Sequence, residues 1–243
     1  MSTEFATTSW SHVLAARDGT DTQARVALEG LCEIYWYPLY AYVRRQGHDP
    51  EEARDLTQGF FAQLFENETL QRTNPSAGRF RSFLLACLKH FLSHERDRAK
   101  ALKRGGGTSP ISLDADAAEK RYDREPAEGL TPEEVFERRW ALAVVERALE
   151  RLREETDEKA NPTRFARLAT YLTGEEPRVP YRQAASALGM SEGAVKVAVH
   201  RLRQRFGELL RAEVAETLAD PEETDEEVRH LLTVIRPFEP KRG

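Results

Sequence analysis

A chain of 243 residues, 40% hydrophobic, 32% charged and of net charge −5, holds enough material for one large domain or two small ones. With 14 glycines and 12 prolines it is neither fibrous nor wholly disordered. Its two cysteines, Cys32 and Cys87, sit in apolar, helix-like runs, which argues against a disulfide framework and for a reducing cytoplasm.

The first stretch, MSTEFATTSWSHVLAARDGT, has no basic segment leading into an apolar one, and no run approaches the roughly 18 apolar residues of a membrane span. A cytoplasmic protein with no membrane partner is expected. Residues 1–30 read as an N-terminal extension whose Trp10, Val13 and Leu14 suggest docking. Leu28, Leu31, Ile34, Tyr35, Leu39 and Val43 then fall on one helical face, with Pro38 expected to interrupt or kink the helix and Gly47 to end it. Asp49, Pro50 and Glu52 have the spacing of a helix start, and Leu56, Phe60 and Leu64 form the buried stripe that follows. After a turn at NPSAGRF, residues 80–104 run as a long helix, apolar first and basic later. GGGTSP stops it and opens an acidic, alanine-rich connector with room for a short helix. Thr131, Pro132 and Glu134 make a capping box that restarts helix. Another helix covers NPTRFARLATYLTG, and a last one, capped by Asp220 and Pro221, carries Val228, Leu231, Leu232 and Ile235. No repeat and no strand alternation stands out.

The net charge hides a segregation. Bases dominate from Arg72 to Arg104 and from Arg178 to Arg211, whereas acids dominate from Asp114 to Glu158 and after Ala212. Two basic blocks separated by an acidic one suggest two surfaces for a polyanion, although one block alone reads better as a solvated face. In the second block Tyr181, Ala184, Ala185 and Leu188 share a helix face. Gly189 suits a left-handed turn and Ser191 caps the next helix, whose Ala194, Val195 and Val199 are expected to point inward. That pattern is a helix-turn-helix, with an ordinary helical hairpin as the competing reading. Glu192, Lys196, His200, Arg201, Arg203 and Arg205 lie opposite. The start of such a helix reaches base edges while its cations meet phosphates.

YRQAASALGMSEGAVKVAVHRLRQRFGELL resembles the promoter-binding C-terminal domain of bacterial sigma factors of the sigma-70 family, extracytoplasmic function (ECF) group. It departs from the family at Val197 and Ala198, where Ser-Arg is frequent. DPEEARDLTQGFFAQLFE resembles that family's segment for docking on the coiled coil of the polymerase's largest subunit, and GRFRSFLLACLKHFLSHERDRAKALKR resembles its promoter-melting helix. The resemblance covers about residues 31–104 and 136–211. It implies an all-α fold of two helical domains joined by a flexible acidic linker. The segments are 1–30 (extension), 31–104 (polymerase docking and −10 element melting), 105–130 (linker), 131–212 (helix-turn-helix, −35 element) and 213–243 (C-terminal helical extension). The implied function is a non-enzymatic sigma factor that binds core RNA polymerase, at the largest-subunit coiled coil and the flap, and initiates transcription on double- and single-stranded promoter DNA.

The same resemblance assigns the residues. Ser191, Glu192, Gly193, Lys196, His200, Arg201 and Arg203 would read the −35 element. Asn74, Arg79, Phe80, Arg81, Phe83, Lys89, His90, Arg96, Arg98 and Lys100 would open and hold the −10 element. Glu52, Asp55 and Gln58 would dock on polymerase. The docking helix lacks two of the family's acids, at Arg54 and Gly59. Thr57 in that depleted patch is therefore a candidate phosphorylation site for a Ser/Thr kinase, the added charge strengthening docking on a basic partner. An anti-sigma factor is the other candidate regulator.

No catalytic set, nucleotide fingerprint or cofactor motif is present, and His90 with His94 lacks an obvious third ligand, so no metal is expected. Two rivals stand: a stand-alone helix-turn-helix regulator and a non-melting polymerase-binding adaptor. The C-terminal extension lies outside the resemblance and is a candidate to gate activity by covering a polymerase or DNA surface.

Overall fold

A computed structural model of the chain describes residues 21–66, 78–101, 115–122, 129–157, 162–172, 179–218 and 220–235. Trp10, Val13, Leu14 and Asn74 lie outside these, as does the side chain of Lys100. Among the described residues the regular structure is nine α-helices and one 3-10 turn, with no strand, so the fold is all-α. Helix α1 (Asp21–Arg45) continues through Pro38 instead of ending there. An interior proline forfeits a backbone bond and costs about 3 kcal/mol. Here Trp36, Tyr37, Leu39 and Tyr40 around it are all buried, and that burial offsets the loss. Gly47, at φ +96°, donates its N–H to the Arg44 carbonyl and ends the run.

Helix α2 (Pro50–Glu66) starts where its cap dictates, the Asp49 carboxylate accepting from the Glu52 N–H at 2.8 Å. Helix α3 (Phe80–Ala101) buries Phe80, Leu84, Leu88 and Leu92, one residue per turn. Helix α5 (Pro132–Asp157) opens on both halves of the capping box. The Thr131 N–H donates to Glu134 Oε2 at 2.7 Å and the Glu134 N–H to Thr131 Oγ1 at 3.2 Å.

The chain forms two compact units, residues 1–143 with 215–243, and residues 144–214. The division falls inside α5, not at residue 131. The start of α5 joins the first unit because Val135, Phe136 and Trp140 are buried there and Lys89 Nζ meets Glu133 at 2.7 Å. Within the acidic connector, α4 (Ala115–Tyr122) packs on α1: Ala118 is buried, and Glu119 accepts from Tyr40 and pairs with Arg44 at 2.7 Å. This part of the connector is anchored, not free. The 213–243 stretch also joins the first unit. A 3-10 turn (Pro221–Glu223) capped by Asp220 leads into α9 (Thr224–Ile235), whose Leu231 is fully buried.

In the second unit α6 (Pro162–Ala169), α7 (Tyr181–Leu188) and α8 (Glu192–Ala215) close around Leu168, Tyr171, Ala184, Ala185, Val195 and Val199. Tyr171 stacks on Tyr181 at 4.8 Å between ring centroids and donates its hydroxyl to the Val179 carbonyl. Gly189, at φ 64° and ψ 31°, makes the turn between α7 and α8, while the Met190 N–H reaches back to the Ala185 carbonyl at 3.0 Å. A Cβ added at Gly189 would meet nothing within 4 Å, so the cost of Gly189→Ala is conformational alone. The expected loss is about 1–2 kcal/mol in a denaturant melt.

Candidate nucleic-acid interface

The α7–turn–α8 segment sets the geometry of the second basic block. Ser191 caps α8, its Oγ accepting from the Ala194 N–H at 3.2 Å. Val195 and Val199 are buried as their spacing demands, but Ala194, expected to point inward, is exposed. Ser191, Glu192, Gly193, Lys196, His200, Arg201 and Arg203 are all exposed. Lys196 Nζ sits 2.7 Å from Glu192 Oε1, one turn earlier. Each partner holds the other charged: hydrogen bonding to the ammonium lowers the Glu192 pKa, and the carboxylate raises that of Lys196. An exposed pair of this kind is weak and salt-labile, so an incoming phosphate can take over Lys196.

Arg203 departs from its expected role. Its Nε and Nη2 both donate to the Tyr171 carbonyl, at 2.9 and 2.7 Å, so it ties α8 to the end of the α6 segment. Arg205 likewise grips Glu155 through two nitrogens, at 2.8 and 2.7 Å. The side chains of this block exposed towards the turn are the cations Lys196 and Arg201 and the imidazole of His200, together with Arg182 of α7. Arg182 acts electrostatically on Glu192, and its place directly after Tyr181 was the sequence signal for it. Beside them Gly193 and Arg201 line a groove of about 1150 Å³ with Phe165, Met190 and Val197. Val197 is 51% exposed and leaves an apolar spot on the basic face.

On the first unit Glu52 and Asp55 are exposed and Gln58 is half-buried. Glu52 and Asp55, with Asp49 and Glu51 but without Gln58, line a groove of about 680 Å³ floored by Leu56, Gly59 and Phe91. Four exposed carboxylates on one groove suit a basic partner. Thr57 is not part of that surface. It is fully buried and donates its hydroxyl to the Ala53 carbonyl at 2.7 Å. A kinase reaches it only by pulling α2 open, so the expectation of a surface phosphorylation site there is corrected.

The −10 residues divide sharply. Lys89, His90, Arg96 and Arg98 are exposed along the second half of α3. Lys89 pairs with Glu133, Arg98 with Glu95 at 3.3 Å, Arg96 bonds Gln46, and His90 Nε2 lies 3.2 Å from His94 Nε2. Hydrogen bonding to Glu133 raises the Lys89 pKa. Phe83 is half-buried. Phe80 and Arg81, expected to face DNA, are buried. Phe80 packs edge-on to Tyr35 at 5.3 Å between centroids. Arg81 is 2% exposed, bonded to Glu137 at 2.7 Å and to Glu227, and its guanidinium lies 4.3 Å from the Trp140 ring centroid. Burial lowers its pKa, and the Glu137 charge works against that. Arg79 is one-third exposed and lies between Glu226, at 3.6 Å, and Glu227, at 2.9 Å. Its Nε contact with Glu227 Oε2 is an ion pair without hydrogen-bond alignment, since that oxygen has no bonded donor. Glu137, Trp140, Glu226 and Glu227 were not identified as site residues from sequence.

No known protein family, curated protein or solved structure matches the chain. Among the described residues no helix is long and apolar enough to cross a membrane, and no three His, Cys, Asp or Glu side chains are placed to share a metal ion.

Proposed function

We propose that the chain is a promoter-recognition factor of the sigma type, working as two tethered DNA-binding surfaces carried by core RNA polymerase. The observation that carries this reading is the Ser191-capped start of α8. It follows a left-handed glycine turn, with Lys196, His200, Arg201 and Arg182 exposed around it on a net-negative chain. Read as a helix-turn-helix, it would set the N-terminal turn of its second helix in the major groove and its cations on phosphates. The acidic groove of α2 supports docking on the basic coiled coil of polymerase, and the exposed half of α3 supports a path for a displaced strand. Either surface alone is weak. Holding both on polymerase raises the effective concentration of the second contact.

The non-melting adaptor is the second reading, and one observation favours it: Phe80 and Arg81 are enclosed. The test of the duplex-binding half is a salt titration of DNA affinity. Each phosphate contact contributes about 0.9 to the log–log slope on duplex DNA. Lys196→Ala combined with Arg201→Ala is expected to make the slope shallower by about 1.8. An unchanged slope would place the DNA elsewhere on the chain.

A further inference from the structure

We infer that the C-terminal helix α9 is an autoinhibitory clamp, holding the start of α3 away from nucleic acid with its own carboxylates. This rests on the promoter-recognition reading, because it names the anion that the clamp displaces. The contact lies wholly within the first unit. Glu227, fully buried, pairs with Arg81 and meets Arg79, and Glu226 adds a second carboxylate to Arg79. Glu137 of α5 completes the enclosure of Arg81, and the chain just before α9 adds a backbone tie, from the Phe80 N–H to the Thr217 carbonyl at 3.3 Å.

Three features distinguish this from an ordinary structural ion pair. First, Glu137, Glu226 and Glu227 gather negative charge around two guanidiniums two residues apart at the N-terminus of a helix, groups that bind phosphate equally well. Second, a buried charge cluster is a poor source of net stability, since desolvation consumes most of the attraction, and its best-attested use is to specify one arrangement against another. Third, the clamp is incomplete. Arg79 remains one-third exposed, Glu227 Oε2 has no aligned donor, and Glu226 is 68% exposed. A polyanion can therefore begin at Arg79 and compete with Glu226 before Glu227 gives way. Closing α9 thus selects against strand capture off polymerase, and Arg79 becomes available once α9 is drawn aside, Arg81 then being shared between Glu137 and the incoming strand.

The test uses the full chain and a fluorescent single-stranded oligonucleotide, with affinity measured across salt concentrations. Glu227→Gln keeps the shape of the side chain and removes its charge. If the open state is populated at about 0.1% in the wild type and Glu227→Gln raises that population about tenfold, the variant binds about tenfold tighter. Its salt slope stays that of the wild type, because both proteins bind through the same open state and make the same phosphate contacts. Glu226→Gln changes an exposed residue; it loosens the clamp at Arg79 alone and tightens binding by a smaller factor. If both variants match the wild type in affinity while all three bind DNA, the clamp is wrong and the promoter reading stands. If none of the three binds single- or double-stranded DNA even at low salt, where weak phosphate contacts are strongest, the promoter reading itself fails. Hydrogen exchange supplies a readout that does not depend on the variants. Saturating oligonucleotide accelerates exchange of the α9 amides in the wild type if α9 is displaced, and unchanged or slower exchange overturns the proposal.

Discussion

Thr57→Glu is expected to cost the first unit several kilocalories per mole of stability, and not to activate the protein. The side chain at this position is fully enclosed, between Ala53 and the aromatic pair Phe60 and Phe61 along the buried stripe of α2. Placing a carboxylate there removes it from water with no cation provided, a penalty of several kcal/mol even after relaxation. Against a total stability of about 5–15 kcal/mol for a domain, that is a large share. Thr57→Val is the control. It keeps the volume and gives up a hydroxyl bond to a carbonyl within the same helix, a loss of about 1 kcal/mol. Urea melts of the three proteins check this. If the glutamate variant melts with the wild type, the residue faces solvent and the buried register of α2 is wrong.

Arg81→Ala is expected to cost about 3–5 kcal/mol, because it strands charged partners. Glu227 is fully buried and Glu137 only partly exposed, and each has Arg81 as a charged neighbour at bonding distance. The same change empties the space over the Trp140 ring. Removing both sides of the contact, as in Arg81→Leu with Glu227→Leu, is expected to recover most of the loss, since a well-packed apolar pair can replace a buried ion pair at little cost. The coupling between the two sites in a double-mutant cycle measures this directly. A loss below about 1 kcal/mol for Arg81→Ala alone would mean the cluster opens to water and carries little of the fold.

The contrast between these two residues shows what the sequence could reveal. The helix starts at Asp49, Thr131 and Ser191 were readable because a cap is a local contract between residues three apart, and the turn at Gly189 because only glycine takes that φ cheaply. Thr57 was also readable in principle. Ala53, Thr57, Phe60, Phe61 and Leu64 share the helical spacing that buries Phe60, and a comparison of surface charge does not register that spacing. Arg81 was not readable in this way. Its partners are 56 and 146 residues away, and no local pattern says which basic side chain in a cationic run will meet a buried carboxylate. Arg203 is a similar case: its bond to Tyr171 spans 32 residues. Pro38 does not interrupt α1 because a proline's local cost is fixed, whereas the burial that offsets it is set by the tertiary fold.

The most direct measurement is run-off transcription from genomic DNA fragments by core RNA polymerase, with and without the purified chain, alongside the Lys196→Ala, Arg201→Ala double variant. The expected result is discrete transcripts that appear only when the chain is added and that fall sharply with the double variant. Transcripts that do not depend on the chain, or a chain that fails to join core polymerase while binding duplex DNA alone, would contradict a polymerase-borne promoter factor and favour a stand-alone regulator.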